Sequence, residues 1–224
     1  SLLFALDDPT AMAPLIERLR LRPGWRRPFF ATTFDGPARQ RAATLLWALQ
    51  DSGSQATKDE VEAYLTFLVG EKRYEEAFLA WALFLPSGEL PKVGGIFDGD
   101  FSGRETFAPF GWRLESDAGG VVAMEPGGGG ALQIVLFGPP APNLARQLLV
   151  LTPGRYRLSF RARLLDGRSD GALEWSLICA GDGHVLARLP VSIRGEGWRN
   201  LTMPFEIPPA GCSGQMLKLS APGR

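Results

Sequence analysis

The side chains whose type and spacing bear on chemistry fall into a few groups. Asp98 and Asp100 flank a glycine in FDGDF (97–101). On an extended strand alternate side chains share one side, so these carboxylates can converge, and converging carboxylates suit Ca²⁺, which takes several oxygen ligands. The competing reading, and the expected one, is a solvated strand start with Asp-Gly turn character. GRSDG (167–171) fits the G-x-S-x-G pattern, in which a strained strand-to-helix turn exposes a nucleophilic serine. Here both flanks read as strands, so Ser169 is expected in a hairpin loop. His184, the single histidine, sits in its own turn, AGDGHVL, and nothing in the pattern joins it to Ser169 and an acid. The expectation is therefore a non-catalytic protein with no catalytic residues and no cofactor, a structural calcium at Asp98 and Asp100 being the one exception considered.

Cys179 and Cys212 are the only cysteines. One closes a strand pattern and the other lies in a Gly-flanked loop, PAGCSGQ. A bridge between them is expected, with two buried thiols as the alternative; it would constrain the unfolded chain by about 3–4 kcal/mol and favour a periplasmic or extracellular home. Two Cys and one distant His fall short of a zinc site. Arg155, Arg157, Arg161 and Arg163 recur at alternate positions and form a ladder on one face of a strand. Such a ladder suits uronates or phosphates on an acidic polysaccharide, or else it is a solvated surface or docks on the helical part. Trp112 and Trp198 are candidates for stacking on sugar rings, whereas Trp175 shares a face with Leu173 and Leu177 and reads as core. Trp198 is out of step with Leu201, which puts it at a sheet edge or bulge.

Composition bounds the partners. The chain has 224 residues, 45% apolar and 21% charged, with 24 basic and 24 acidic side chains. Equal charge argues against a duplex-DNA binder, which needs surplus cations to neutralise phosphates. No apolar run reaches the length of a membrane span. The opening SLLFALDD lacks Met and a basic segment, so it reads as a cut or matured start. The expected partners are a polysaccharide or another protein, with no nucleic acid.

Two kinds of element must position these residues. Residues 1–88 read as helical. Leu15, Ile16 and Leu19 keep helical spacing up to Pro23-Gly24. After a linker rich in Trp25, Phe29 and Phe30, Pro37 stands where a helix starts, Ala42, Leu45, Leu46 and Leu49 form its face, and Gly53 follows its end. Thr57 and Glu60 form a capping box. Val61, Tyr64, Leu65 and Leu68 make the next stripe, ended by Gly70, and Tyr74, Ala77, Phe78, Trp81 and Leu85 the last, ended by Pro86. Residues 57–85 are thus a helical hairpin. From 89 to 224 the period is two. Alternation marks strands at 154–165, 172–180 and 200–208, with further candidates at 110–115, 120–125, 131–137, 145–151, 185–193 and 215–220. Turns at Gly127 to Gly130, 138–143, Pro153-Gly154, Asp166-Gly167 and Asp182-Gly183 separate them. The fold class is a helical domain over 1–88 followed by an antiparallel β-sandwich of jelly-roll type over 89–224.

Two resemblances sharpen this. Gly70, Tyr74, Ala77, Trp81 and Pro86 resemble the second half of a tetratricopeptide repeat, which implies the last turns of a helical repeat array. Their spacing departs from the consensus on both sides of Ala77. Asp98, Gly99, Asp100, Phe101, Trp112, Gln147, Pro153, Gly154, Tyr156, Trp198, Phe205 and Pro208 resemble, in order, the carbohydrate-binding-module type of jelly roll, related to galactose-binding-like domains. That resemblance implies polysaccharide binding, and a structural calcium near Asp98. Ser102 stands where the family offers Glu, which removes a ligand. The alternative role is structural: a sandwich that caps the helical array.

Overall fold

The computed structural model describes residues 9–85, 88, 95–104, 106–125, 130–165, 169–195 and 197–222. The Pro86 helix stop, the 89–94 boundary, Gly127 to Gly129, and Asp166, Gly167 and Arg168 lie outside those residues. The chain divides into two compact units, Ser1–Phe84 and Leu85–Arg224.

The first unit contains α1 (Pro9–Arg20), α2 (Arg26–Phe34), α3 (Arg39–Asp51), α4 (Lys58–Gly70) and α5 (Tyr74–Phe84). The apolar stripes of α3 and α4 are buried: Ala42, Leu45, Leu46, Leu49, Val61, Leu65 and Leu68 have no exposed surface. Thr57 caps α4 through its side chain, which accepts from the Glu60 amide, while Glu60 reaches back to the Thr57 amide. Both ends of the following turns close by the same bonds. At α3, Ser54 donates to the Leu49 carbonyl and Gly53 to that of Gln50; at α4, Arg73 donates to Leu68 and Lys72 to Val69. The left-handed position is Gly53 in the first case, but Lys72 in the second, so Gly70 is the last helical residue rather than the stop.

The segment read as an aromatic linker is instead helix α2. Pro28 falls in its first turn, where a missing N–H costs nothing. Phe29, Phe30, Thr33 and Phe34 are all buried, and Phe34 stacks on Phe30 at 6.0 Å and on Phe67 of α4 at 6.0 Å. Helix α2 thus packs on α3 and α4, α1 packs on α3, and α5 packs on α4. Next to this aromatic cluster lies a buried ion pair. Arg26 Nε and Nη2 bond Glu60 Oε1 and Oε2 at 2.7 and 2.8 Å, and Nη1 bonds the Leu19 carbonyl and Ser54 Oγ. Both side chains are at most 4% exposed.

The second unit holds β1 (Arg113–Leu114), β2 (Gly120–Met124), β3 (Leu132–Leu136), β4 (Ala141–Leu149), β5 (Gly154–Ala162), β6 (Ser169–Cys179), β7 (Val185–Ile193), β8 (Arg199–Ile207) and β9 (Gln215–Ala221). All pairings are antiparallel. One sheet runs β1-β4-β9-β6-β7; β2 pairs with β3, and β5 with β8. The core is sandwich-like: Ala145, Leu149, Trp175, Leu177, Val191, Leu217 and Leu219 of the large sheet meet Met203 and Ile207 of β8, with Tyr156, Leu158 and Phe160 of β5 packed against them. Because β5 pairs with β8 and not with β6, β5 and β6 do not form the hairpin that the sequence suggests. Strand β6 belongs to the five-stranded sheet, and Ser169 is its first residue, in register with Ile193. The Cys179–Cys212 disulfide joins the end of β6 to the loop between β8 and β9, with an S–S distance of 2.07 Å. Among the described residues no helix is long and apolar enough to cross a membrane.

Candidate functional site

Strand β5 alternates as its sequence demands. Tyr156, Leu158, Phe160 and Ala162 turn toward the core, and Arg155, Arg157, Ser159 and Arg161 are exposed on the outer face. Register carries this pattern onto β8. Opposite Arg155, Arg157, Ser159 and Arg161 stand Glu206, Pro204, Thr202 and Asn200, all exposed. Four exposed positions on each strand therefore form one surface, polar except at Pro204, and the arginines on it make no ion pair among the described residues.

Trp198 belongs to this surface. It precedes β8 by one residue and has the parity of Asn200 and Thr202, not of Leu201. Gly195 and Gly197 take left-handed backbone, φ +76° and +86°, and the chain bends at each of them just before it. The indole remains 48% exposed. The Arg161 guanidinium lies 5.5 Å and that of Arg163 5.0 Å from the indole ring centroid. At exposed sites such contacts contribute about 0.5–1 kcal/mol each, enough to hold two cations beside one flat apolar surface. At the other end of the pair, Arg155, Tyr156, Arg157, Pro204, Phe205 and Glu206 line a shallow, open depression. On the inner side of the sheet beneath it, Tyr156 stacks on Phe205 at 5.6 Å, and the Tyr156 hydroxyl donates to the Thr152 carbonyl.

The structure does not bring Trp112 to this face. Its Nε1 donates to the Asp98 carbonyl at 3.0 Å, and its ring packs on Phe101 and Trp175 beside the core. Trp175 in turn meets Phe160, on the inner side of β5.

Asp98 and Asp100 lie in a turn, not on a strand, so the alternate-residue argument for converging carboxylates does not apply. Asp98 has φ +51° and is buried. Its Oδ1 accepts from the amide and hydroxyl of Ser102 at 3.1 and 2.7 Å, and Oδ2 from the Gly103 amide at 3.1 Å. Arg104 completes the shell, with Nε 3.3 Å from Asp98 and Nη2 3.0 Å from Asp100. Lost hydration works to raise the Asp100 carboxyl, but bonding with Asp98, the Arg104 charge and Ser102 outweigh it and hold it below its ordinary value. Thus the positive charge a cation would bring is supplied by a guanidinium, and the hydroxyl of Ser102 folds the loop. Among the described residues no group of three or more His, Cys, Asp or Glu can hold a metal ion. The loop is anchored by a contact that sequence pattern does not show. Buried Gln147 of β4 accepts from the Phe97 amide at 3.0 Å and donates to its carbonyl at 2.9 Å, as a strand neighbour would.

Ser169 and His184 lie at opposite ends of the β6–β7 pair. Register places Ser169 against Ile193, whereas Ile178 pairs with Val185, next to His184. Nine strand steps separate Ser169 from Ile178, about 30 Å. The backbone of His184 closes its turn: its amide donates to Asp182 Oδ1 and its carbonyl accepts from the Cys179 amide. Comparison of the chain with families of known proteins, with curated proteins and with solved structures finds no match.

Proposed function

We propose that the protein is a non-catalytic binding protein whose second unit, a jelly roll of carbohydrate-binding type, takes polysaccharide on the outer face of β5 and β8. The observation that carries this reading is Trp198, half-exposed on a sheet surface and flanked by Arg161 and Arg163. An exposed tryptophan costs hydration free energy that burial would recover, and a flat ring in a polar frame is suited to the apolar face of a sugar. The guanidinia add planar donors for carboxylate or hydroxyl oxygens. The strand alternation and the disulfide support the jelly-roll assignment, and the bridge fits an oxidising compartment, periplasmic or extracellular.

Trp198→Ala removes the platform and leaves the core untouched, because Trp198 is absent from the apolar clusters. Binding in a glycan panel is expected to fall by at least about tenfold, with an unchanged unfolding midpoint. A panel that stays silent toward the unmodified protein would sink the reading.

A second role is favoured by Leu79 and Leu83 on α5, exposed at 61% and 69% one helical turn apart. In this alternative the helices are the end of a tetratricopeptide-like array, and the protein is a structural interaction module. Burial of Tyr74, Ala77 and Trp81 at repeat-like positions supports it. A silent glycan panel leaves this alternative standing.

A further inference from the structure

Resting on the carbohydrate reading above, we infer that the outer face of β5 and β8 holds two anion subsites in line, and that its ligand is a uronate-type acidic polysaccharide lying along the strands. The arginines are not evenly spread. Arg155 and Arg157 flank the depression at one end, Arg161 and Arg163 flank Trp198 at the other, and uncharged Ser159 stands between them. From the middle of one pair to the middle of the other is six residues, about 20 Å on an extended strand. The only carboxylate on this face of the paired strands is Glu206, opposite Arg155. Among the described residues of this face, four guanidinia stand against one carboxylate, an arrangement that selects a ligand bearing repeated negative charge, since like-charge crowding is relieved only by added anions.

The middle of the face says what kind of polyanion fits. Ser159 pairs with Thr202, so two small hydroxyls fill the space between the cationic ends, and Asn200 adds an amide opposite Arg161. Such groups exchange hydrogen bonds with ring hydroxyls, and Glu206, opposite Arg155, adds an acceptor at that end. A single-stranded nucleic acid would want a stacking ring for successive bases, but Trp198 is the one aromatic exposed here. A hexuronate polymer offers both features required, a carboxylate on each unit and free hydroxyls between.

Two subsites on one rigid face bind one chain with an effective concentration set by their separation. The test uses the full chain, hexuronate oligomers of defined length, a neutral glucan and a single-stranded oligonucleotide, with affinities measured by titration calorimetry. A hexuronate longer than about 20 Å is expected to bind at least tenfold tighter than the disaccharide. In the double variant Arg155→Gln/Arg157→Gln, the long oligomer is expected to fall to the disaccharide's affinity, while the disaccharide is unaffected. Trp198→Ala should lose both. Equal affinity for long and short oligomers, or a long oligomer indifferent to the double substitution, overturns the two-subsite arrangement. A neutral glucan bound as tightly as the hexuronate, still through Trp198, overturns the acidic ligand and leaves the carbohydrate reading intact. Silence toward every sugar removes the carbohydrate reading itself. An oligonucleotide that binds more tightly than the hexuronate overturns the inference in favour of a nucleic acid.

Discussion

Arg26→Ala is expected to destabilise the helical unit by about 3–5 kcal/mol, the cost of leaving one member of a buried ion pair without its partner. The magnitude follows from how completely each group is enclosed. Arg26 stands at the start of α2, where the helix dipole disfavours a cation, and its charge is tolerated because both Glu60 oxygens meet it. Its third nitrogen is spent on Leu19 and Ser54. Removing it strands a carboxylate that is 2% exposed. Glu60→Ala should cost at least as much, since it also orphans the Thr57 amide that begins α4. An apolar pair, Arg26→Met with Glu60→Leu, is expected to regain much of the loss, because it buries no charge. Urea unfolding followed by helical circular dichroism measures all three. An unchanged midpoint in Arg26→Ala would show that the pair is solvated rather than buried.

Loss of the disulfide should weaken the second unit by about 3–4 kcal/mol, from the entropy of an unfolded chain no longer closed over a loop of this size. The bridge spans 33 residues and encloses β7, the Trp198 turn and β8. It therefore restrains the strand that builds the proposed face. Both cysteines are at most 5% exposed, so alanine substitution leaves only small voids and the effect is dominated by the lost restraint. Cys179→Ala/Cys212→Ala is expected to lower the guanidinium midpoint of the β unit, to match the unmodified protein unfolded with a reductant, and to be indifferent to the reductant itself. Coincident curves for all of these would mean that no bridge forms. Because the chain has two units, the measurement needs a probe specific to each, and helical signal alone would miss this transition.

The difference between what the sequence shows and what it hides is physical. Periodicity reports which side of an element is dry, so the stripes on α3, α4 and α5 and the alternation of β5 and β8 were legible, as was the local hydrogen-bond logic of Thr57 and Glu60. Helix α2 was not, because Pro28 and paired phenylalanines also describe a connection; only the ring partners supplied by α4 make it a buried helix. The Arg26–Glu60 pair joins positions 34 apart and carries no periodic signal. Strand partners were hidden for a similar reason. Alternation is the same whichever neighbour a strand has, and so the change of sheet between β5 and β6 could not be read from GRSDG.

The candidate site divides along the same line. That Trp198 was out of step with Leu201 was visible, and it is this offset that puts the indole on the arginine face. Trp112 had the same residue type without the offset argument, and its indole nitrogen is committed to the Asp98 carbonyl. The Asp-Gly turn character at Asp98 was legible, but the burial of its carboxylate was not, because the partners that enclose it, Ser102, Gly103 and Arg104, carry no periodic signal.

The most direct measurement of the central claim follows the tryptophan indole N–H signals by nuclear magnetic resonance while a hexuronate oligomer is added to the full chain. The Trp198 signal is expected to move saturably, with Trp112 and Trp175 unmoved. Movement at Trp112 with Trp198 still, or no movement at any tryptophan, would contradict the account.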